Sequence, residues 1–131
     1  MTARRAECSC GKLSITCEGE PIRVSVCHCT ACQRRTGSAF GQQARWAAER
    51  VAVEGAATAF TREGDSGGHA TFHFCPSCGA TVFFTVERMP GMVAVPVGAF
   101  ADASFPGPVI SFYEARKHPW VTLPEGVEHV D

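Results

Sequence analysis

The sequence has no excess of either charge: twelve basic and thirteen acidic side chains leave a net charge of -1 over 131 residues. A domain that lives by neutralising phosphates is usually basic overall, so nucleic-acid binding is disfavoured from the outset. There is also no apolar run long enough to span a bilayer, and no membrane role is expected. Arg4 and Arg5 stand where a signal peptide would open, but Ala6-Glu7-Cys8-Ser9-Cys10 is not an apolar core. Without an export signal the expected compartment is the cytoplasm, where thiols stay reduced. Clustered cysteines there mean metal or redox chemistry more often than structural disulfides. The length suits one domain, residues 1–131, with a modest core and no room for two.

What remains is a β-type pattern. Leu13, Ile15 and Cys17 alternate with Lys12, Ser14, Thr16 and Glu18, the period of a half-buried strand. After the turn at Gly19-Glu20-Pro21, Ile22, Val24 and Val26 alternate again. Further strands are expected at 40–46, 51–54, 59–62, 69–74, 80–86, 92–97 and 109–113, rich in β-branched and aromatic residues. Their spacing predicts a mainly β sandwich or folded sheet. Residues 30–36 form the one short helix expected, with Thr30 as N-cap and Gly37 as its C-terminal stop. Residues 63–68 read as an exposed hairpin tip, and the tail after Trp120 as chain extended over the surface.

The chemistry lies in the cysteines. Seven of the eight fall into three groups: Cys8-Ser-Cys10, Cys27-His-Cys29-Thr-Ala-Cys32 and Cys75-Pro-Ser-Cys78. Seven divide as four plus three. Four thiolates close a zinc shell, whereas three leave a position open for water or substrate. Cys75-Pro-Ser-Cys78-Gly79 has the form of a zinc knuckle, and Cys8-Ser-Cys10-Gly11 is a shorter version with the same terminal glycine. Pairing them yields a four-thiolate structural site that clamps the N-terminal strand to a distant hairpin. A Cys-Pro-x-Cys turn also suits thiol–disulfide exchange, but redox pairs of this kind usually open a helix in a βαβ setting. Cys17, facing the same way as Leu13 and Ile15, reads as a core thiol.

Cys27, Cys29 and Cys32 offer three thiolates at a strand-to-helix corner. A thiol entering the fourth position of a zinc held there would be deprotonated outright. Alternatively His28, His69, His73 or His118 could fill the position and close the site. His28 is a poor fourth ligand, because in an extended segment it points away from its cysteine neighbours.

At these cysteines the chain closely resembles the glutathione-dependent formaldehyde-activating enzyme family, which includes the centromere protein V-like proteins. The resemblance runs through Cys8-Ser-Cys10-Gly11, the stretch 26–40, the stretch 74–79, Val97-Gly98-Ala99-Phe100 and His118-Pro119-Trp120-Val121. It implies an Mss4-like zinc-bound β-sandwich, a structural zinc on Cys8, Cys10, Cys75 and Cys78, and a catalytic zinc on Cys27, Cys29 and Cys32. It also implies a carbon–sulfur lyase that joins glutathione to formaldehyde as S-hydroxymethylglutathione. The partners expected are therefore a small thiol and a small aldehyde.

Glutathione carries two carboxylates, which suit bidentate guanidinium contacts. Arg34, Arg35 and Ser38 are candidate substrate-binding residues, and each arginine could equally face solvent on a helix. Ser38, Thr30 and Thr36 lie close enough along the chain to protonate a developing alkoxide. Phe40 and Trp120 could wall the pocket, although each reads more simply as core. Two other readings stand beside the enzyme: a zinc-stabilised protein-interaction module, and a zinc-ribbon-like nucleic-acid binder, for which only Arg34/Arg35 and Arg116/Lys117 speak.

Overall fold

The computed structural model describes residues 2–64 and 67–131. The alternating pattern becomes strands β1 (Ala3–Glu7), β2 (Ser14–Glu18), β3 (Arg23–Cys27), β4 (Gly41–Ala47), β5 (Val51–Glu54) and β6 (Thr58–Glu63). They are followed by β7 (His69–Phe74), β8 (Thr81–Val86), β9 (Met92–Pro96), β10 (Ile110–Phe112) and β11 (Glu128–Val130). One α-helix, α1 (Thr30–Thr36), joins β3 to β4. Short 3-10 turns at Ala48–Arg50, Val97–Phe100 and Glu114–Arg116 were not read from the sequence.

The strands form two sheets. A small antiparallel sheet runs β1-β2-β5, and a large one runs β11-β10-β3-β4-β9-β8-β7-β6. In the large sheet β10 lies parallel to both β3 and β11, while β3 to β4 and β4 to β9 are antiparallel. The expected alternation of Leu13, Ile15 and Cys17 is realised: all three are fully buried and, with Ala6, meet Val24, Ala44, Trp46, Val82, Val93 and Val95 from the large sheet. This layer between the sheets is the main core. Trp46 lies at its centre, with its indole N–H donated to the Gly19 carbonyl at 3.2 Å and its ring 5.6 Å from Phe100. Burial pushes the Cys17 thiol up to about 12, as suits a neutral core side chain.

Three expectations need correction. Ile22 is 66% exposed, since it precedes β3 and only its backbone joins the sheet, through an N–H to the Arg45 carbonyl. The tail is not simply extended chain, because β11 pairs with β10. Cys29, not Thr30, is the N-cap of α1: its sulfur accepts the Cys32 backbone N–H, and Thr30 is already the first helical residue. Gly37 ends the helix in the left-handed conformation, as expected. The hairpin at 63–68 joins β6 to β7, and its residues 65 and 66 lie outside the described residues.

Gly55 sits between β5 and β6 with φ +98, and a Cβ there would lie 1.9 Å from the Lys12 carbonyl oxygen. Alanine at this position meets both a strained backbone and a steric clash. Gly55→Ala is expected to lower stability by more than about 2 kcal/mol in urea melts. An alanine variant as stable as the parent would contradict the packing described.

Candidate metal centres

The first cysteine set is built from two tight turns. Cys8 and Cys10 follow β1, and Cys75 and Cys78 follow β7, where a register shift between His73 and Phe74 re-aims the end of the strand. The turns share a pattern. The Cys8 N–H bonds the Leu13 carbonyl and the Cys75 N–H bonds the Ala80 carbonyl, at 2.9 and 3.0 Å. Gly11 and Gly79 leave them at φ +80 and +81, a conformation that costs other residues strain.

The four sulfurs lie within 4.8 Å of one another. Cys10 Sγ stands 3.7 Å from Cys8 Sγ and 3.7 Å from Cys75 Sγ. Sulfurs at about 2.3 Å from a tetrahedral zinc are roughly 3.8 Å apart, so the group fits that ion. Backbone N–H groups already point at the sulfurs, from Leu13 to Cys8 at 3.2 Å and from Ser77 to Cys75 at 3.4 Å. The Ala80 and Cys10 backbone N–H groups pull the Cys78 thiol down to about 6. The redox alternative finds no helix here, since Cys75 and Cys78 sit on a hairpin between β7 and β8.

The second set lies at the end of β3. Cys27 closes the strand, Cys29 caps α1 and Cys32 occupies its first turn, with the sulfurs again within 4.8 Å of one another. The Cys32 N–H reaches Cys29 Sγ at 3.3 Å. Hydrogen bonds from the Cys27 and Cys32 thiols drive the Cys29 thiol down to about 2, while Cys27, which donates to both Cys29 and Cys32, is pushed far up. A thiolate therefore forms readily in the cluster, which is the state a metal ligand requires. The donor set suits zinc.

Among the described residues no histidine or carboxylate joins these three sulfurs. His69 pairs with Glu87 at 2.6 Å, and His73 stacks on Phe83 at 4.4 Å. His118 binds Gln33 Oε1 at 3.0 Å. His28 turns away from its neighbours and is fully buried, with Nε2 2.9 Å from Ser111 Oγ. Ser111 in turn hydrogen-bonds Glu114 and, with His129, holds that carboxyl below its usual range. Gln33 ties the motif to the C-terminal segment by donating to the His28 and Arg116 carbonyls at 2.8 and 3.3 Å.

The candidate substrate residues separate by geometry. Arg34 follows Cys32 by about 200° around the helix and is exposed, whereas Arg35 returns to the Cys32 side. The Arg35 guanidinium lies over Phe72 and Phe84, 5.2 and 5.0 Å from the ring centroids. It also acts electrostatically on Cys32. Gly41 leaves room for this arrangement, because a Cβ there would stand 3.1 Å from Arg35 Nη2 and 3.2 Å from Cys32 Cβ.

The Thr36 hydroxyl is committed to the Cys32 carbonyl at 2.8 Å and accepts the Ser38 N–H, leaving Ser38 and Thr30 exposed. Phe40 and Trp120 line a hollow of about 300 Å³ with Val26 and Val121, on the face of β3 opposite Cys27. Trp120 is 71% exposed and so is not a core residue. Sequence reasoning missed Arg62, whose charge acts on Cys29, and Arg45, which feels Cys27 and Cys32.

No helix among the described residues is long and apolar enough to cross a membrane. No curated protein matches the chain. A Rhodobacter sphaeroides protein of known crystal structure shares the fold, with a TM-score of 0.57 at 24% identity, over 72% of this chain and 85% of that one. Residues 3–116, which carry all seven clustered cysteines, match the sequence pattern described as glutathione-dependent formaldehyde-activating enzyme, and the chain belongs to that family.

Proposed function

We propose that the protein is a zinc-dependent carbon–sulfur lyase that adds a low-molecular-weight thiol of the glutathione type to formaldehyde or another small aldehyde. In this reading residues 1–131 are one cytoplasmic domain. Cys8, Cys10, Cys75 and Cys78 hold a structural zinc, and Cys27, Cys29 and Cys32 hold the catalytic one. The observation that carries the proposal is the inequality of the two clusters: four sulfurs in one, and three in the other with no further ligand beside them among the described residues. A zinc held by Cys27, Cys29 and Cys32 would supply Lewis-acid chemistry, favouring the incoming thiol as thiolate and polarising the aldehyde oxygen.

The chain does the rest by position. The Cys32 N–H, in the first turn of α1, holds Cys29 as an acceptor, and Gln33 fixes the loop through the His28 carbonyl. Addition forms one carbon–sulfur bond, and the proton that leaves the thiol ends on the new hydroxymethyl oxygen. The Thr36 hydroxyl is tied to backbone, so delivery of that proton falls to the exposed Thr30 or Ser38, or to solvent. Arg35 beside Cys32 offers a carboxylate partner for the thiol's peptide.

Magnetisation-exchange NMR of glutathione with formaldehyde provides the test. Zinc-loaded protein is expected to speed exchange between the free and hydroxymethylated thiol above the spontaneous rate. An unchanged rate at high protein concentration sinks the lyase reading and leaves a zinc-stabilised interaction module.

A further inference from the structure

An open sheet has edges, and an uncovered edge offers a row of unpaired backbone groups to another chain. Here the edges are β1 and β5 in the small sheet, and β11 and β6 in the large one. β11 has three residues and β5 four, while β1 carries Arg4, Arg5 and Glu7 among its five. β6 is the longest, six residues without proline, and its pairing with β7 keeps one register throughout. Every residue of β6 but Arg62 is exposed, and Phe60 is 60% exposed. Arg62, the cation that could guard this edge, is instead folded back over Phe72 at 5.2 Å.

The phase of the β6–β7 ladder decides which backbone groups are free. The Gly64 N–H bonds the Gly68 carbonyl at 2.7 Å, and bonded pairs in an antiparallel ladder recur at every second residue. Arg62, Phe60 and Thr58 therefore spend their N–H and C=O groups on Ala70, Phe72 and Phe74. Ala59, Thr61 and Glu63 turn theirs to the open side. A second β6, laid antiparallel about a two-fold axis at Thr61, matches Ala59 to Glu63, Thr61 to Thr61 and Glu63 to Ala59. Every outward group then finds a partner. The residues between these pairs approach more closely, and they set Phe60 of each copy opposite Arg62 of the other. An aromatic ring against a guanidinium is attractive, and no like charges stand opposite one another. An axis at Arg62 or Glu63 would oppose like charges, and one at Phe60 or Ala59 would leave Glu63 without a partner inside β6.

We propose that β6 is a self-pairing edge, and that two copies of this chain form a two-fold dimer by joining their large sheets through β6, with Thr61 on the axis. The occupant is a second copy because the edge complements itself in side chains as well as in hydrogen bonds. A contact that uses the same patch on both partners closes at two copies. This pairing does not depend on the lyase reading, yet it bears on the metal centres. Cys27, Arg45, Ala94, Phe84, Phe72 and Phe60 follow one another across the face of the large sheet turned away from the small one. The axis runs perpendicular to the joined sheets, so both three-sulfur corners lie on one side of the dimer. Arg62, whose charge acts on Cys29, becomes part of the contact. Six residues a side make a small interface, so the dimer is expected to be reversible in the micromolar range.

Sedimentation velocity of zinc-loaded protein, taken across the micromolar range, is expected to show a monomer–dimer equilibrium. Thr61→Pro removes the N–H on the axis and spares the ladder to β7, so it should weaken the dimer at least about tenfold. Two changes at Phe60 read the register. Phe60→Glu sets a carboxylate against Arg62 of the other copy and should keep the dimer, whereas Phe60→Arg opposes two cations and should abolish it. Phe60 is exposed, so both variants should fold as the parent does, which circular dichroism checks. Protein that stays monomeric at the highest concentration overturns the proposal, as does a dimer indifferent to Thr61→Pro. A dimer lost equally with either charge at Phe60 overturns it too, because the axis then does not lie at Thr61.

Discussion

Cys75→Ser is expected to yield protein that is unfolded or insoluble, with neither native circular dichroism nor a full zinc complement. Cys75 and Cys10 come from turns 65 residues apart, and their sulfurs stand 3.7 Å from each other. One turn belongs to the small sheet and the other to the large, so an ion there fastens both layers around Leu13, Ile15 and Val82. A structural zinc of this type contributes about 10–16 kcal/mol of apparent binding energy, as much as the net stability of most domains or more. Losing one of four ligands forfeits a large share of that, and the core between so small a sheet and its partner is too modest to replace it. A folded, soluble Cys75→Ser protein that keeps its zinc would remove the structural role from this cluster.

Cys29→Ser should behave in the opposite way. Serine is itself a favoured N-cap, so it can take the Cys32 N–H that Cys29 now accepts and α1 should persist. The cluster sits at the end of β3 beside Phe112 and Tyr113, outside the main core. The variant is therefore expected to melt within a few degrees of the parent while losing one of two zinc ions by metal analysis. Thiol–aldehyde exchange should fall to the spontaneous rate. If Cys29→Ser unfolds the chain as Cys75→Ser does, the two clusters do not divide structure from chemistry. If it retains full exchange activity, the reaction lies elsewhere.

The cysteine groups were legible because ligand spacing is local: Cys8/Cys10, Cys27/Cys29/Cys32 and Cys75/Cys78 each sit on a single turn or corner. Strands β2 and β7 were legible because one side of each is more deeply buried than the other. The polar side of the large sheet carried no such signal. Ser25, Gln43 and Arg45 occupy the alternate positions that usually face water, yet all three are buried. Nothing along β3 or β4 reveals that α1 and the β6–β7 hairpin border that surface, because those contacts depend on the order of strands in the sheet. β1 and β11 were obscure for a simpler reason, with Ala6 the only buried residue across both. Trp120 read as core because large aromatics are usually covered, whereas here it borders the hollow beside Val26 and stands open to solvent.

The order in which the sulfurs leave the ribosome has a cost. Cys8, Cys10, Cys27, Cys29 and Cys32 are all translated before Cys75 and Cys78 exist to complete the first shell. At ordinary elongation speeds that interval lasts a few seconds, during which the newborn amino-terminal thiols stay open to oxidants and to softer metals such as copper(I). Expression in zinc-poor or oxidising conditions should therefore trap mispaired chains that later zinc addition cannot rescue without a reductant.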